Sequence, residues 1–288
     1  MTDKRVVVGV DGSLIAVRAL DWAAEEAARR GAGLHIVYAV PDRDEAAPVL
    51  ASAVSRMRAR HPDLPVVATA AEGRAVQALT RESDGAALTV VGTRGFGGLA
   101  GTLFGSVSSR LAAHTHSPLL VVRGDHPCDG GTSRSSEAES GGGRDVLLGL
   151  ESDADADAAA YAFQEAARRG ARLRILHSWT HRRVAPELPS LLPATSPGQQ
   201  ALARRDAAEE AVPRFDVAGL RERYPEVGVE TRTVRVSPAH ALLEATREAA
   251  VVVIGTHRHA GRPGPHLGPV VHTLLHRSHC PVVVVPTV

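Results

Sequence analysis

The sequence is poor in aromatic residues and in cysteine, and it has no large excess of charge of either sign. Aromatic residues make up 3% of the chain, too few for the stacking surfaces that bind single-stranded nucleic acid. A net formal charge of +1 gives no basic surface that would attract a nucleic acid or an acidic membrane. Cys128 and Cys280 cannot build a disulfide framework, and we expect two free thiols, with Cys280 packed. These shortages favour a protein that binds a small ligand.

Long apolar runs are missing as well. No stretch of about 18 consecutive apolar residues is present, and no signal-peptide core follows Met1. We therefore expect a cytoplasmic protein that does not enter a membrane. With 288 residues, of which 44% are hydrophobic, the chain is long enough for two domains.

Short apolar runs rich in valine alternate with helical patterns in the first part of the chain. Ser13, for example, is a good N-cap for the first helix, and Gly31 is a good C-terminal stop. Strands separated by helices predict right-handed crossovers and a parallel sheet covered on both faces. The predicted strands are 5–10, 33–40, 65–70, 86–91 and 119–122, and the predicted helices are 14–30, 44–60, 75–83 and one that starts at 106.

A linker divides the chain. Residues 124–144 are mostly glycine, serine and charged residues without apolar periodicity, which predicts a flexible segment. We therefore predict one domain at 1–123 and a second at 145–288.

The second domain repeats the first. Residues 146–152 echo 6–12 at an offset of 140. Later landmarks recur at an offset of 163: Gly92 as Gly255, Gly105 as Gly268, and Pro118 as Pro281. The chain is thus an internal duplication, with about two dozen extra residues in the second copy, mainly the proline-rich 183–200.

A glycine-rich loop follows the fourth predicted strand. Residues 92–106 contain six glycines in fifteen positions and lead into a helix. Gly92 and Gly95 let the chain turn off the strand, while Gly105 and Ser106 present N–H groups and a hydroxyl at a helix start, which suits a phosphate. The alternative is a structural loop in which Ser106 only caps the helix.

Two charged residues lie at the same predicted end of the sheet. Asp11, directly after the first strand, can accept a hydrogen bond from a ribose hydroxyl or an adenine amine, or help to hold Mg²⁺. Its alternative role is to form the turn before Gly12. Arg94 can reach a phosphate or a ribose, or else lies in solvent.

These residues resemble the universal stress protein family. The likeness rests on Val8-Gly9-Val10-Asp11-Gly12-Ser13, on Gly92-x2-Gly95-x9-Gly105-Ser106, and on the closing segments 116–122 and 278–285. The glycine pattern matches the family's ATP-binding pattern at every defined position. The likeness covers the whole chain apart from 124–144 and 183–200.

The resemblance implies an α/β fold of two doubly wound, Rossmann-like parallel sheets in tandem. Each sheet has five strands in the order 3-2-1-4-5, and the final strands of the two domains pair within the chain. A nucleotide is expected at the carboxyl ends of the strands where the order reverses, as the general rule for open α/β sheets also predicts. Association of two chains into a homodimer is left open.

ATP with Mg²⁺ is the cofactor that the resemblance implies. Ala39 and Val40 match family positions whose backbone meets adenine, although they equally fit plain strand residues. No residue is predicted to be catalytic, because His114 and His116 lie near the end of a helix that points away from the ligand. The predicted nucleotide-binding residues are Gly9, Asp11, Ser13, Ala39, Val40, Gly92, Arg94, Gly95, Gly105, Ser106 and Val107.

The second domain departs from this pattern, and we predict that its site is impaired or empty. A side chain stands where the backbone should pass, and a proline brings neither an N–H nor a hydroxyl to the helix start. The replacements are Arg258 for Gly95, Pro269 for Ser106, Glu151 for Asp11 and Ser152 for Gly12.

A pair of histidines marks the last predicted helix. His272 and His276 are four residues apart and share a face, an arrangement that can chelate a metal. No cysteine or carboxylate pattern accompanies them, so we predict solvated histidines and no metal site.

Three functions are compatible with the sequence. The leading hypothesis is a nucleotide-dependent stress or regulatory protein that binds ATP mainly in its first domain. The alternatives are a slow ATPase or hydrolase of adenylated compounds on the same fold, and a scaffold with vestigial sites.

Overall fold

A computed structural model describes the chain at residues 5–40, 43–93, 106–123, 145–150, 155–178, 214–234, 236–256 and 267–287. The first half contains β1 (Arg5–Val10), α1 (Leu14–Arg30), β2 (Gly33–Val40), a 3-10 turn (Arg43–Ala46), α2 (Ala47–Arg60), β3 (Val66–Glu72), α3 (Ala75–Glu82), β4 (Leu88–Gly92), α4 (Ser106–His114) and β5 (Leu119–Val122). The second half contains β6 (Asp145–Leu150), α5 (Ala156–Arg169), β7 (Leu173–Ser178), α6 (Arg214–Arg223), β8 (Val229–Val234), α7 (Pro238–Ala245), β9 (Ala249–Thr256), α8 (Pro269–Arg277) and β10 (Val282–Pro286).

Local sequence signals explain where the first helices begin and end. The side chain of Ser13 caps α1 by accepting the N–H of Ala16 at 3.2 Å, and Gly31 ends the helix with a left-handed φ of 57°. Both predictions are confirmed. The helix predicted from residue 44 instead begins as a 3-10 turn and becomes α2 at Ala47. Pro48, in the first turn of α2, lacks an N–H but needs no partner there.

The ten described strands form one sheet in the order β3-β2-β1-β4-β5-β10-β9-β6-β7-β8. Each half contributes five parallel strands in the order 3-2-1-4-5. The halves join where β5 pairs antiparallel with β10, with Leu120 opposite Val283. The predicted fold, including the pairing of the final strands, is confirmed. Because β5 and β10 run antiparallel, the strands of the two halves point in opposite directions. The carboxyl ends of the strands in one half therefore lie level with the amino ends of the strands in the other half.

Helices cover both faces of the sheet. One core lies under α1, α2, α5 and α6, where Trp22 and Phe163 are fully buried. The other lies under α3, α4, α7 and α8 and includes Cys280, which is buried, as predicted, and forms no disulfide with a described residue. Cys128 lies outside the described residues. None of the described helices has the length and the apolar character that crossing a bilayer would require.

Four charged residues form a buried cluster between α1 and α5. They occupy matching positions of the repeat, Glu26 and Arg30 in α1 and Glu165 and Arg169 in α5, and each side chain is at most 7% exposed. Arg30 Nη2 lies 2.7 Å from Glu165 Oε2, Arg169 Nε lies 2.6 Å from Glu165 Oε1, and Arg169 also donates to Glu26. Arg30 donates a further hydrogen bond to the hydroxyl of Tyr161 at 2.8 Å. Charge-assisted hydrogen bonds therefore tie the two halves together.

The pKa of Glu165 reflects this environment. Burial alone would raise the pKa, but the charges of Arg30 and Arg169 act in the opposite direction and hold it below its ordinary value. The stability that this shift supplies is present above the unfolded-state pKa of about 4.5. It is lost as the pH falls through the lower folded-state pKa, when Glu165 takes up a proton.

Replacing Glu165 with glutamine should lower the free energy of unfolding by about 3–5 kcal/mol at neutral pH, because the buried charges of Arg30 and Arg169 would then share the single carboxylate of Glu26. Urea unfolding followed by circular dichroism measures the change. The variant should also lose less stability than the wild type when the pH is lowered below 4.5.

The control for this prediction is Glu244→Gln. Glu244 forms an exposed pair with Arg247, and its removal should leave the unfolding free energy nearly unchanged. If Glu165→Gln costs no more stability than this control, the buried cluster does not stabilise the fold.

Candidate functional site

The carboxyl ends of β1 and β4 form a crevice in the first half. Because β1 lies between β2 and β4, the strand order reverses here and the two connections leave towards opposite faces. Ligands of open α/β sheets bind at such a point. Asp11 follows β1 directly, and α1 begins nearby at Leu14, where the first N–H groups of the helix have no partner within the helix.

Asp11 shapes the turn that leads into α1. Its Oδ1 accepts the backbone N–H of Ser13 at 3.0 Å, and Gly12 adopts a φ of 80°. The turn-forming role that the sequence left open is therefore present. Ser13 caps the helix, so this predicted site residue also has a structural task.

Two of the predicted site glycines are needed for packing. A Cβ atom on Gly92 would lie 2.6 Å from Cγ2 of Ile15, and one on Gly9 would lie 2.8 Å from Cδ1 of Leu79. Gly92 therefore lets the first turn of α1 approach the end of β4 at the floor of the crevice. Gly9 faces α3 instead. No signal in the sequence points to Ile15, since its contact with β4 is purely tertiary.

The end of β2 forms one side of the crevice. Val10, the last residue of β1, pairs with Tyr38, so Ala39 and Val40 extend past the end of β1. The carbonyl of Val40 accepts the N–H of Gly73 at 3.2 Å. The structure thus places Ala39 and Val40 at the same end of the strands as Asp11, which follows β1.

The residues on both sides of the glycine loop lie within the described part of the chain. Gly92 ends β4, and the N–H of the buried Thr93 donates to the last residue of β5 at 2.9 Å. The helix α4 begins at Ser106, and Val107 is half-buried. The remaining predicted site residues of the loop lie outside the described residues: Arg94, Gly95 and Gly105.

The corresponding crevice of the second half contains different side chains. Asp155, at the position of Ile15, is buried at the start of α5, and a Cβ atom on Gly255 would collide with its Oδ1. His177, at the position of Tyr38, is buried and donates through Nδ1 to the last carbonyl of β6 at 3.0 Å. Neither replacement falls within the glycine pattern, so neither could be predicted from that motif.

Pro269 opens α8 in the second half. It occupies the first turn of the helix at the position that Ser106 has in α4, so one N–H is missing from the helix start. The other replaced positions of this crevice lie outside the described residues: Glu151, Ser152 and Arg258.

His272 and His276 stack on α8, with their ring centroids 3.9 Å apart. Burial, His272 and the charge of Arg123 lower the pKa of His276 to about 4. Arg123 also donates to the backbone carbonyl of His276, and its guanidinium disfavours a cation nearby. Within the described ranges, no three His, Cys, Asp or Glu side chains gather as ligands for a metal ion.

Comparison with known proteins extends these observations. The sequence model of the Universal stress protein family matches residues 3–57, 43–123 and 143–286. A universal stress protein of Mycobacterium tuberculosis is 33% identical over 317 residues, which cover 98% of this chain and 95% of that protein. Another, from Mycolicibacterium smegmatis, is 33% identical over 306 residues, which cover 99% of this chain and 97% of that protein. The crystal structure of a universal stress protein from Archaeoglobus fulgidus aligns over 99% of both chains with a TM-score of 0.60 and 15% identity, which shows a common fold.

Gly92→Ala should destabilise the protein, because the added methyl group would press against the first turn of α1. Overpacking of this kind costs about 1–3 kcal/mol, which urea unfolding measures. The control is Gly219→Ala in α6, where a Cβ atom meets nothing within 4 Å. The control should gain about 0.5–1 kcal/mol, because alanine is the better helix former. A Gly92→Ala protein as stable as the wild type would show that α1 can move away from β4 without cost.

Proposed function

The chain belongs to the universal stress protein family, and on this premise we propose that it binds ATP with Mg²⁺ in the crevice of its first half. We further propose that it acts as a nucleotide-dependent stress or regulatory protein. The observation that carries the proposal is the junction at the switch point, where the Asp11 turn, the start of α1 and the end of β4 meet. The glycine pattern that follows β4 supports a phosphate ligand there.

Each part of the crevice has a proposed task. The backbone at the end of β2, Ala39 and Val40, lies beside the adenine. Asp11 binds the ribose or the Mg²⁺ ion, while Gly9 and Ser13 hold β1 and α1 in position. The phosphates lie against the loop and the start of α4, where the N–H groups and the helix dipole favour negative charge. The proposed phosphate-binding residues are Gly92, Arg94, Gly95, Gly105, Ser106 and Val107.

We propose that the second half does not bind ATP in the same way. Pro269 removes an N–H from the start of α8, and Asp155 buries a carboxyl group at the crevice, where it disfavours a phosphate. In this proposal a domain at 1–123 binds the nucleotide, 124–144 is the linker, and a domain at 145–288 completes the sheet.

Ser106→Pro should weaken ATP binding to the full chain at least about tenfold, because a hydrogen bond to a charged group contributes about 1.5–3 kcal/mol. Proline is compatible with the start of this helix, since α8 begins with Pro269 at the matching position. Isothermal titration calorimetry with ATP and Mg²⁺ measures the affinity, and a thermal unfolding curve checks that the variant is folded.

The matched control is Pro269→Ser, which changes the second crevice and should leave the affinity of the first site unchanged. Equal affinities of the wild type and Ser106→Pro would contradict the proposed phosphate site. Release of inorganic phosphate, measured on the same samples, separates binding from turnover. Steady release that Ser106→Pro abolishes would point to an ATPase instead.

The same titration should give one ATP per chain. The missing N–H at α8 and the buried Asp155 are the physical reasons for expecting the second crevice to stay empty. Two equivalent sites per chain would contradict the proposed impairment of the second half. No binding at millimolar ATP would contradict the proposed function itself.

A further inference from the structure

The two outer strands of the sheet, β3 and β8, are matching strands of the repeat but differ in charge. Val66 pairs with the second residue of β2, and Val229 pairs with the first residue of β7, at the same level of the two half-sheets. From this register, Glu230 occupies the position of Val67, and Arg232 occupies the position of Thr69. Charged side chains on an edge strand protect it from pairing with another strand. The edge at β8 therefore carries charged side chains, whereas the matching positions of β3 do not.

Several features make the β3 edge fit for pairing. The strand has no proline and no charged residue before Glu72, and its register with β2 runs without a bulge over seven residue pairs. Val67 is 61% exposed, so an apolar side chain faces solvent beside the edge. In the part of the chain that the structure describes, no strand pairs with the outer side of β3. An edge that is long, uncharged and regular is a template for a further strand.

We propose that β3 pairs antiparallel with β3 of a second copy of this chain, which extends the sheet across a two-fold axis. Full overlap of two such strands places the axis at the middle residue, Thr69. Val67 then lies opposite Ala71 of the partner subunit, and Thr69 lies opposite the partner's Thr69. Such a contact brings no like charges together, and a threonine pair across antiparallel strands is favourable. The chain already joins its own halves by antiparallel edge strands, at β5 and β10.

The charges on β8 explain why the partner strand is β3 and not β8. Pairing β3 of one chain with β8 of the next would be a head-to-tail contact, which repeats without closing and produces a fibre. Glu230 and Arg232 disfavour that contact. The charges thus disfavour the head-to-tail contact that would extend the assembly, and the pairing of β3 with its own copy is the contact that joins two uncharged edges.

Sedimentation velocity over a wide concentration range tests the proposal on the full chain. The wild type should sediment as a particle of twice the 30.2 kDa of one chain. The double variant Val67→Glu/Thr69→Arg carries on β3 the residues that β8 has at the same positions, so the fold should tolerate them, and it should sediment as a monomer. A monomeric wild type, or a dimer that persists in the double variant, would overturn the proposal.

The reciprocal variant Glu230→Val/Arg232→Thr is the matched control. Removing the charges from β8 should leave the β3 contact intact and produce assemblies larger than a dimer. A second measurement locates the contact: under mild oxidation, Thr69→Cys should form a covalent dimer on a non-reducing gel, whereas Arg232→Cys should not. Both cysteine variants retain Cys128 and Cys280, so the native thiols contribute equally. Cross-linking of Arg232→Cys alone would place the contact at β8 and reject the proposal.

Discussion

The antiparallel pairing of β5 with β10 is the constraint from which the architecture follows. The two strands are almost wholly buried and join two parallel half-sheets into one. Because α1 and α5 lie on the same face of the sheet, the halves are related by an axis roughly perpendicular to it. The two crevices consequently lie at opposite ends of the strands. The third strand of each half, β3 or β8, becomes an outer strand of the sheet. A ligand in one crevice would therefore lie at the opposite end of the strands from a ligand in the other.

The same symmetry explains the buried charges between α1 and α5. Each of the two helices carries a glutamate and, four residues later, an arginine. When the helices meet across such an axis, the glutamate of each helix faces the arginine of the other. Removing four charges from water costs free energy, which their mutual pairing offsets. The halves share this cluster but differ in their crevices. The second half has Asp155 at the position of Ile15 and Pro269 at the position of Ser106. The contact between the halves and the shape of each crevice thus place separate requirements on the sequence.

Local signals made much of the fold predictable. A valine-rich run gives β1, and Ser13 and Gly31 set the ends of α1, because capping depends on residues adjacent in the sequence. The pairing of the final strands was predicted only through the family resemblance. Contacts between residues far apart in the sequence could not be predicted in this way. Glu165 has the same local context as any polar residue near a helix end. Gly9 matches a ligand motif, yet it packs against Leu79. The candidate site was therefore predictable as a glycine pattern, whereas the division of its glycines between packing and ligand contact was not.

The two halves differ in the charge of their outer strands and in the residue that begins their last helix. A duplicated chain with two identical open edges would associate without limit, since each end of the sheet would accept another chain. Charges on one outer strand disfavour head-to-tail growth, and the charges of Glu230 and Arg232 lie on the half whose last helix begins with Pro269. The first half keeps both the glycine pattern and the uncharged edge. On the proposed function and the proposed contact, ligand binding and association both belong to the first half, while the second half completes the sheet.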